Sequence, residues 1–280
     1  TDDDLAPTVN LSVGATTINE DSGSPTTQVT ATLSLLSEKD VTVTLATSGT
    51  AKDAIDYNLN STTIVISAGT LATSTLLSSI ADAIDELDET VIIDVTLVDN
   101  GTENNVQQKT VTILDDEIPP TATLSVGSSV IGEDVGTTTT AVKVTLSSIS
   151  GLDVTVTLEK GGTATDVVDY KLDSITLVVP AGSQSTSVTL AAAGDLLDED
   201  NETVVLGINV VGNATPAGLS QMVTINDDDA TPTVTLSVGS VTLAEDIGAT
   251  KTDVTATLSA VAGRDVTVFL SKSGTANEFP

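Results

Sequence analysis

Residues 41–45 of the chain read Val-Thr-Val-Thr-Leu, and residues 154–158 repeat these five residues without change. Apolar and polar side chains alternate in both stretches, and a period of two is typical of a β-strand with one buried face. The polar partner is threonine, whose β-branched side chain suits a pleated, half-exposed surface. Residues 29–33, Val-Thr-Ala-Thr-Leu, show the same alternation. These stretches predict an all-β fold.

The chain also repeats itself over a long period. The stretch Pro-Thr-Val-Asn-Leu-Ser-Val-Gly begins at Pro7, and close copies begin at Pro120 and Pro232, which lie 113 and then 112 residues further on. Asp-Val-Thr-Val and Gly-Thr-Ala blocks recur at the same spacing. This period fits a self-contained domain of roughly 100 residues better than a solenoid unit. We therefore expect the end of a preceding repeat at 1–6, repeat 1 at 7–118, repeat 2 at 119–230 and a truncated repeat 3 at 231–280, as a segment of a larger protein.

Each repeat shows about seven short alternating stretches between turn-forming clusters, the number and pattern of an immunoglobulin-like sandwich. No segment has a convincing helical period. The sequence thus predicts tandem antiparallel β-sandwiches, arranged like beads on a string. With no Trp and no Cys in the chain, we expect cores of Val, Leu, Ile and Ala, with Tyr57 and Tyr170 as the one shared aromatic residue.

Composition excludes several functions. The chain has no His and no Cys, which removes the Ser-His-Asp triad, thiolate nucleophiles and zinc sites built on these residues. Forty acidic and 9 basic residues give a net charge of -31, which repels nucleic acid and anionic lipid. No apolar run approaches the ~18 residues of a membrane helix. We expect a non-enzymatic protein that binds cations.

The acidic residues recur at equivalent places between the predicted strands of both repeats. The matching groups are Glu20-Asp21 with Glu133-Asp134, Asp56 with Asp169, Asp82 to Glu89 with Asp195 to Glu202, and Asp115-Asp116-Glu117 with Asp227-Asp228-Asp229. Carboxylates crowded at one end of a sandwich repel one another unless a cation neutralises them. Hard oxygen ligands in such numbers suit Ca²⁺ better than Mg²⁺. We favour Ca²⁺ over the alternative of a solvated acidic surface.

These motifs resemble the Calx-beta domain family, known best from the regulatory domains of the sodium/calcium exchanger. Repeat 1 carries the hallmarks Glu20-Asp21-Ser22-Gly23, Gly49-Thr50-Ala51 with Asp56-Tyr57, Asp88-Glu89-Thr90-Val91 and the closing triplet, and repeat 2 carries their equivalents. In the exchanger these acids bind Ca²⁺ at one tip of the sandwich. Carried over by position, the resemblance implies a first site of Glu20, Asp56, Asp82, Glu86, Glu89, Asp115, Asp116 and Glu117. It implies a second site of Glu133, Asp169, Asp195, Glu199, Glu202, Asp227, Asp228 and Asp229.

Three positions depart from the family pattern. Ala81 and Gly194 stand where the exchanger domain has the first Asp of a pair, and Asn201 replaces the residue seen at Asp88. These departures imply fewer ions or weaker binding. The resulting hypothesis is a Ca²⁺-stiffened spacer or adhesive stalk at the surface of a bacterial cell, whose partners are calcium ions, neighbouring repeats and a surface or cell-adhesion ligand. The alternatives are a calcium-sensing module of a membrane transporter or signalling protein, and accessory domains of a secreted enzyme.

Overall fold

A computed structural model describes residues 5–21, 23, 25–218, 220–247 and 251–276. Within these ranges the chain forms two β-sandwiches of five strands per sheet, followed by a two-stranded sheet, and it contains no helix. The all-β prediction is therefore confirmed. Residues 1–4, which belong to the segment predicted to end a preceding repeat, lie outside the described part of the chain.

Repeat 1 contains ten strands in two sheets. They are β1 Thr8–Val13, β2 Thr17–Asn19, β3 Thr26–Leu33, β4 Val41–Gly49, β5 Tyr57–Leu59, β6 Thr63–Ile66, β7 Ala72–Ser79, β8 Glu89–Asp99, β9 Thr102–Glu103 and β10 Gln108–Leu114. One sheet has the order β5-β7-β3-β1-β9, and the other has the order β2-β10-β8-β4-β6. The pairing of β4 with β8 shifts register between Thr44 and Leu45, which marks a bulge.

Repeat 2 has the same architecture. Its strands are β11 Thr121–Val126, β12 Val130–Gly132, β13 Thr139–Leu146, β14 Val154–Gly162, β15 Tyr170–Leu172, β16 Thr176–Val179, β17 Ser185–Ala192, β18 Glu202–Gly212, β19 Thr215–Ala217 and β20 Gln221–Asn226. The sheets are ordered β15-β17-β13-β11-β19 and β12-β20-β18-β14-β16. The register shift recurs between Thr157 and Leu158, at the position equivalent to the bulge in repeat 1.

The strand count differs from the seven expected in each repeat. The additional strands of repeat 1 are β2, β5 and β9, which are 2 or 3 residues long and therefore too short to show a period. Two of them pair in parallel, β2 with β10 and β9 with β1, whereas a purely antiparallel sandwich was predicted. Each of these short strands lies at the edge of a sheet and pairs with a longer strand.

The core of each sandwich follows the alternation in the sequence. Val41, Val43 and Leu45 on β4 are buried, while the threonines between them are partly exposed. Two separate hydrophobic clusters fill the sandwiches, one in each repeat. Tyr57 and Tyr170 lie in these clusters with 2% of their surface exposed, as the sequence predicted.

Repeat 3 contributes a single strand pair, β21 Val234–Val238 with β22 Val254–Leu258. Val234 pairs with Leu258 in the register that joins Val9 to Leu33 in repeat 1. Val234 is 42% exposed, whereas Val9 is completely buried. The difference arises because a second sheet covers β1 and none covers β21 in the described part of this chain. No helix suited to crossing a membrane occurs among the described residues.

Candidate metal centre

The sheet topology brings the acidic residues of repeat 1 to one end of the sandwich. In the second sheet β8 runs antiparallel to β10, so that Glu89 at the start of β8 pairs with Ile113 near the end of β10. The parallel strand β2 ends beside β10, where Asn19 pairs with Leu114. Glu20 and Asp115, the next residues of the two strands, therefore emerge side by side.

The Gly-Thr-Ala motif fixes the start of β8. Gly49 has a φ of 119°, and a Cβ there would overlap the carbonyl group of Thr90, so this approach requires glycine. The N–H of Ala51 donates to the Thr90 carbonyl at 3.1 Å, and the N–H of Thr90 donates to the Thr50 hydroxyl at 2.8 Å. The motif thus anchors the residue that follows Glu89.

A tight turn presents Asp56. The carboxylate of Asp56 accepts the Lys52 N–H at 2.6 Å, and the Asp56 N–H donates to the Lys52 carbonyl at 2.9 Å. Tyr57, the next residue, is buried and pairs with Ser79 at the end of β7. Burial of the tyrosine ring therefore holds the preceding carboxylate at the acidic end of the sandwich.

Hydrogen bonds between backbone N–H groups and carboxylates hold the loop between β7 and β8 to the segments that follow β2 and β10. The Asp82 N–H donates to Oε1 of Glu20 at 3.1 Å, and the Glu86 N–H donates to Oδ1 of Asp115 at 3.0 Å. The Asp115 N–H in turn donates to Oδ1 of Asp88 at 3.2 Å. The carboxylates of Glu20, Asp115 and Asp88 thus each accept a backbone N–H through one oxygen.

The carboxylates of repeat 1 come together in three groups, each with ligand atoms within 4.8 Å of one another. The groups are Glu20 with Asp115 and Glu117, Asp21 with Asp116 and Glu117, and Asp56 with Glu86 and Glu89. A cleft of about 10 Å³, which is room for one water-sized sphere, lies between the first and third groups. Seven of the eight predicted first-site residues are members of these groups, and Asp82 contacts Glu20 through its backbone.

Repeat 2 reproduces this framework. The Asp195 N–H donates to Oε1 of Glu133 at 3.2 Å, and the Glu199 N–H donates to Oδ1 of Asp227 at 3.1 Å. Glu133, Asp227 and Asp229 form one close group of ligand atoms. The other predicted residues lie around this group: Glu202 hydrogen-bonds Asp169, and Oδ2 of Asp228 accepts the Val135 N–H at 2.8 Å.

Burial and mutual repulsion raise the pKa values at both ends. Burial raises the pKa of Glu20 and of Glu133 to about 7, and nearby carboxylates add to the shift. Burial, together with a hydrogen bond to the neighbouring Asp carboxyl group, also raises the pKa of Glu89 and of Glu202 to about 7. Without a counterion, each acidic end thus holds carboxylates that resist ionisation.

The donor set fits a hard divalent cation. Oε2 of Glu117 and Oδ2 of Asp229, at equivalent positions in the two closing triplets, are buried and have no hydrogen-bond partner. A buried oxygen without a partner is unfavourable, and a cation coordinated there would satisfy it. Carboxylate oxygens gathered within 4.8 Å are the ligands that Ca²⁺ accepts in its flexible geometry.

Two acidic residues outside the predicted ligand sets also lie in the acidic clusters, one in each repeat. Asp21 belongs to the group with Asp116 and Glu117. In repeat 2 the Asp134 carboxylate lies where a Cβ of Gly194 would be, at the position where the family pattern has an aspartate. Asp134 thus brings a carboxylate to this position. The recurring Glu-Asp pair was the signal in the sequence, although only its Glu was predicted as a ligand.

The Asn201 substitution preserves a positioning contact. Oδ1 of Asp88 accepts the Asp115 N–H, and Oδ1 of Asn201 accepts the equivalent Asp227 N–H at 3.0 Å. An amide carbonyl oxygen serves this purpose as a carboxylate does. The side chain at this position therefore orients the closing triplet in both repeats.

Fold and site together define a tandem-repeat protein of β-sandwich domains, each with a carboxylate cluster at one end. The Calx-beta domain family matches residues 2–117 and 119–229, and the chain belongs to this family. This match confirms the resemblance predicted from the sequence. Calx-beta domains are non-catalytic and bind calcium. No curated protein matches the chain.

Solved structures with a similar fold include calcium-binding domains of Calx proteins. CBD12 from CALX1.2 is 19% identical, with a TM-score of 0.36, over 78% of this chain and 99% of that one. CBD12 of CALX1.1 is 18% identical, with a TM-score of 0.34, over 75% and 96% of the two chains. The apo-form Calx CBD1 domain is 22% identical, with a TM-score of 0.34, over 39% and 99%. Because these scores are low, the family assignment rests on the sequence match.

Proposed function

We propose that the acidic end of each complete repeat binds Ca²⁺ and that the chain serves as a non-enzymatic spacer or adhesive segment of an extracellular or cell-surface protein. The observation that carries the calcium proposal is the recurrence, in both repeats, of a buried carboxylate oxygen without a partner, at Glu117 and at Asp229. Calx-beta membership supports the choice of ion.

The residues that would hold Ca²⁺ in repeat 1 come from four separate chain segments. Glu20 follows β2, Asp56 precedes β5, Glu86 and Glu89 lie before and at the first residue of β8, and the closing triplet 115–117 follows β10. Bound Ca²⁺ supplies positive charge that offsets the repulsion among these carboxylates. By sharing one ion, the side chains tie the closing triplet to the loop between β7 and β8. Because the triplet leads into repeat 2, we propose that Ca²⁺ binding stiffens the junction of repeats 1 and 2 as well as the acidic end of repeat 1.

An extracellular or bacterial surface location is proposed from composition. The chain is rich in Thr and Asp and carries only 9 basic residues. The alternatives are a calcium-sensing module of a membrane transporter or signalling protein, and accessory domains of a secreted enzyme. Affinity separates the first alternative, because extracellular modules bind Ca²⁺ at roughly 10⁻⁴–10⁻³ M and sensors at roughly 10⁻⁷–10⁻⁵ M.

Thermal unfolding of the full chain, in chelator and across a Ca²⁺ titration, tests the proposal. A ligand at one hundred times its Kd stabilises a folded domain by about 2.7 kcal/mol per independent site. We expect a higher midpoint at millimolar Ca²⁺ and little change at the same concentration of Mg²⁺. A midpoint that rises already at micromolar Ca²⁺ would favour the sensor alternative.

Two variants of equal charge locate the effect. Glu89→Gln removes a carboxylate of the acidic end, and Asp99→Asn removes one at the opposite end of the same strand, an 11-residue strand of about 33 Å. We expect Glu89→Gln to weaken the Ca²⁺ response of repeat 1 and Asp99→Asn to leave it unchanged. An equal response in both variants would mean that Ca²⁺ acts only by general screening.

A further inference from the structure

Consecutive repeats contact each other through the same two loops at both junctions. Asp85 of repeat 1 forms a β-bridge with Ser150 of repeat 2, and the Gly151 N–H donates to the Asp85 carbonyl at 3.0 Å. Asp198 of repeat 2 forms the equivalent bridge with Ala262 of repeat 3, and the Gly263 N–H donates to the Asp198 carbonyl at 3.1 Å. The geometry therefore repeats along the chain.

A glycine of the later repeat lies at the contact in both junctions. A Cβ on Gly151 would lie 2.5 Å from Oε1 of Glu86, and a Cβ on Gly263 would lie 2.5 Å from Cγ of Glu199. The backbone of each later repeat thus passes directly against a Glu side chain of the earlier one. Such a close approach defines a specific interface between repeats.

Each junction buries one aspartate of the earlier repeat, but the two aspartates have different partners. Asp85 is 7% exposed, and its Oδ2 accepts the Ser150 hydroxyl at 3.2 Å. Asp198 is 4% exposed and faces Ala262, which has no hydroxyl group. Two other residues of repeat 3 donate to this carboxylate. The Thr231 hydroxyl donates to Oδ1 of Asp198 at 3.2 Å. Arg264 donates from Nη2 to Oδ1 at 2.6 Å and from Nε to Oδ2 at 3.2 Å.

The arginine also reaches a second carboxylate. Nη1 of Arg264 donates to Oδ1 of Asp200 at 2.6 Å. In the other junction the position of Arg264 is held by Leu152, and the position of Asp200 is held by Leu87. Both positions are thus leucine at the first junction, whereas the second junction has an arginine and an aspartate there. A change at both positions is compatible with a matched interface.

We infer that these loops form a recognition surface for the next repeat of the chain, and that the residues at positions 87 and 152, or 200 and 264, specify which neighbour fits. In the junction of repeats 2 and 3, Arg264 supplies the cation that the buried Asp198 needs. We therefore expect that junction to stay ordered without a metal ion. The junction of repeats 1 and 2 has no arginine and depends on the Ser150 hydroxyl group. Exchange of Arg264 for leucine would remove the charged partner of the buried Asp198 carboxylate.

Distance measurements between spin labels test this inference on the full chain. The chain has no Cys, so paired cysteines at the exposed Thr176 and Thr255 report only the junction of repeats 2 and 3. In chelator we expect one narrow distance distribution for the wild type. Arg264→Leu is expected to increase the population outside the main distance by at least about tenfold, because it removes the charged partner of the buried Asp198 carboxylate and leaves the Thr231 hydroxyl, a neutral donor, in place. A broad wild-type distribution, or no effect of Arg264→Leu, would overturn the inference.

A transplant into the two complete repeats gives an independent test. Labels at Thr63 and Lys143, which are the equivalent exposed positions, report the junction of repeats 1 and 2. The double variant Leu87→Asp with Leu152→Arg introduces the residues found at positions 200 and 264 into the junction of repeats 1 and 2. We expect it to narrow the distribution of label-to-label distances in chelator. Leu87→Asp alone should not narrow it. Equal distributions in the single and double variants would contradict pairing between these positions. Since chelator is present throughout, the result is separate from the calcium proposal.

Discussion

The hydroxyl group of Thr50 accepts the backbone N–H of Thr90 at 2.8 Å, and Thr163 accepts the N–H of Thr203 at the same distance. This bond ties the end of β4 to the start of β8, directly beside Glu89. We expect Thr50→Ala to lower the free energy of unfolding of repeat 1 by about 1 kcal/mol, since it leaves the N–H without its partner. Urea denaturation measures the change.

Thr62→Ala is the matched control for this prediction. Thr62 is exposed, lies outside the strands and donates no side-chain hydrogen bond among the described residues. Its replacement is expected to change the free energy of unfolding by less than about 0.5 kcal/mol. Equal losses in the two variants would mean that the hydrogen bond at Thr50 contributes nothing.

Asp88 should tolerate an amide but not an apolar side chain. Its Oδ1 accepts the Asp115 N–H, as Oδ1 of Asn201 accepts the Asp227 N–H in repeat 2. We expect Asp88→Asn to keep the stability of repeat 1 within about 0.5 kcal/mol and Asp88→Ala to reduce it by about 1 kcal/mol. Chemical denaturation of both variants, in chelator, decides the matter. If Asp88→Asn were the more damaging change, the charge rather than the hydrogen bond would matter.

Without Ca²⁺ the protein should lose stability as the pH rises. The pKa values of Glu20 and Glu89 lie near 7 in the folded chain, against an ordinary value of 4.5. Between these values the folded state binds more protons than the unfolded state, so the free energy of unfolding falls with increasing pH. Thermal midpoints measured in chelator should therefore decrease from about pH 5 to about pH 8.

Two comparisons check the origin of that pH dependence. Glu20→Gln with Glu89→Gln removes the two such groups of repeat 1 and should reduce the dependence, while Glu133 and Glu202 of repeat 2 retain theirs. Saturating Ca²⁺ should flatten it too, because a bound cation favours the ionised carboxylates. A slope that neither change reduces would place the titration elsewhere in the chain.

Val167 occupies an unfavourable backbone conformation. Its φ is 71°, in the left-handed region that β-branched residues avoid, and its side chain is 82% exposed. Val167→Asn should stabilise repeat 2 by about 1 kcal/mol, because asparagine tolerates this region and little apolar contact is lost. Val168→Asn, at a neighbouring residue that is 62% exposed and has no positive φ, is the control. A stabilisation no larger than that of the control would show that Val167 carries no strain.

The longer strands were predictable and the short ones were not. The alternation in residues 29–33 and 41–45 predicted parts of β3 and β4, because each strand buries one face and exposes the other. Strand β9 has only 2 residues and pairs in parallel with β1. A stretch of that length carries no period, and its pairing depends on where the chain returns in three dimensions.

The acidic ends were partly predictable. Recurrence of Glu20, Asp56 and the closing triplets in both repeats indicated their positions, and the topology brings Glu20 to Asp115 and Glu117, and Glu133 to Asp227 and Asp229. The place of Asp134 over Gly194 was not predicted, because 60 residues separate the two in sequence. Arg264 gave no signal either, since its carboxylate partners lie on a loop of the preceding repeat.

The sequence by itself determined the repeat, the all-β class, the residues of the core and the family. Each of these follows from the local alternation of apolar and polar residues or from motifs that recur at one spacing. Only the tertiary structure decided which carboxylate oxygens stay without a partner and which residues meet between repeats. Those properties depend on distances between segments that are far apart in the chain, such as Asp198 and Arg264, and no local pattern encodes such distances.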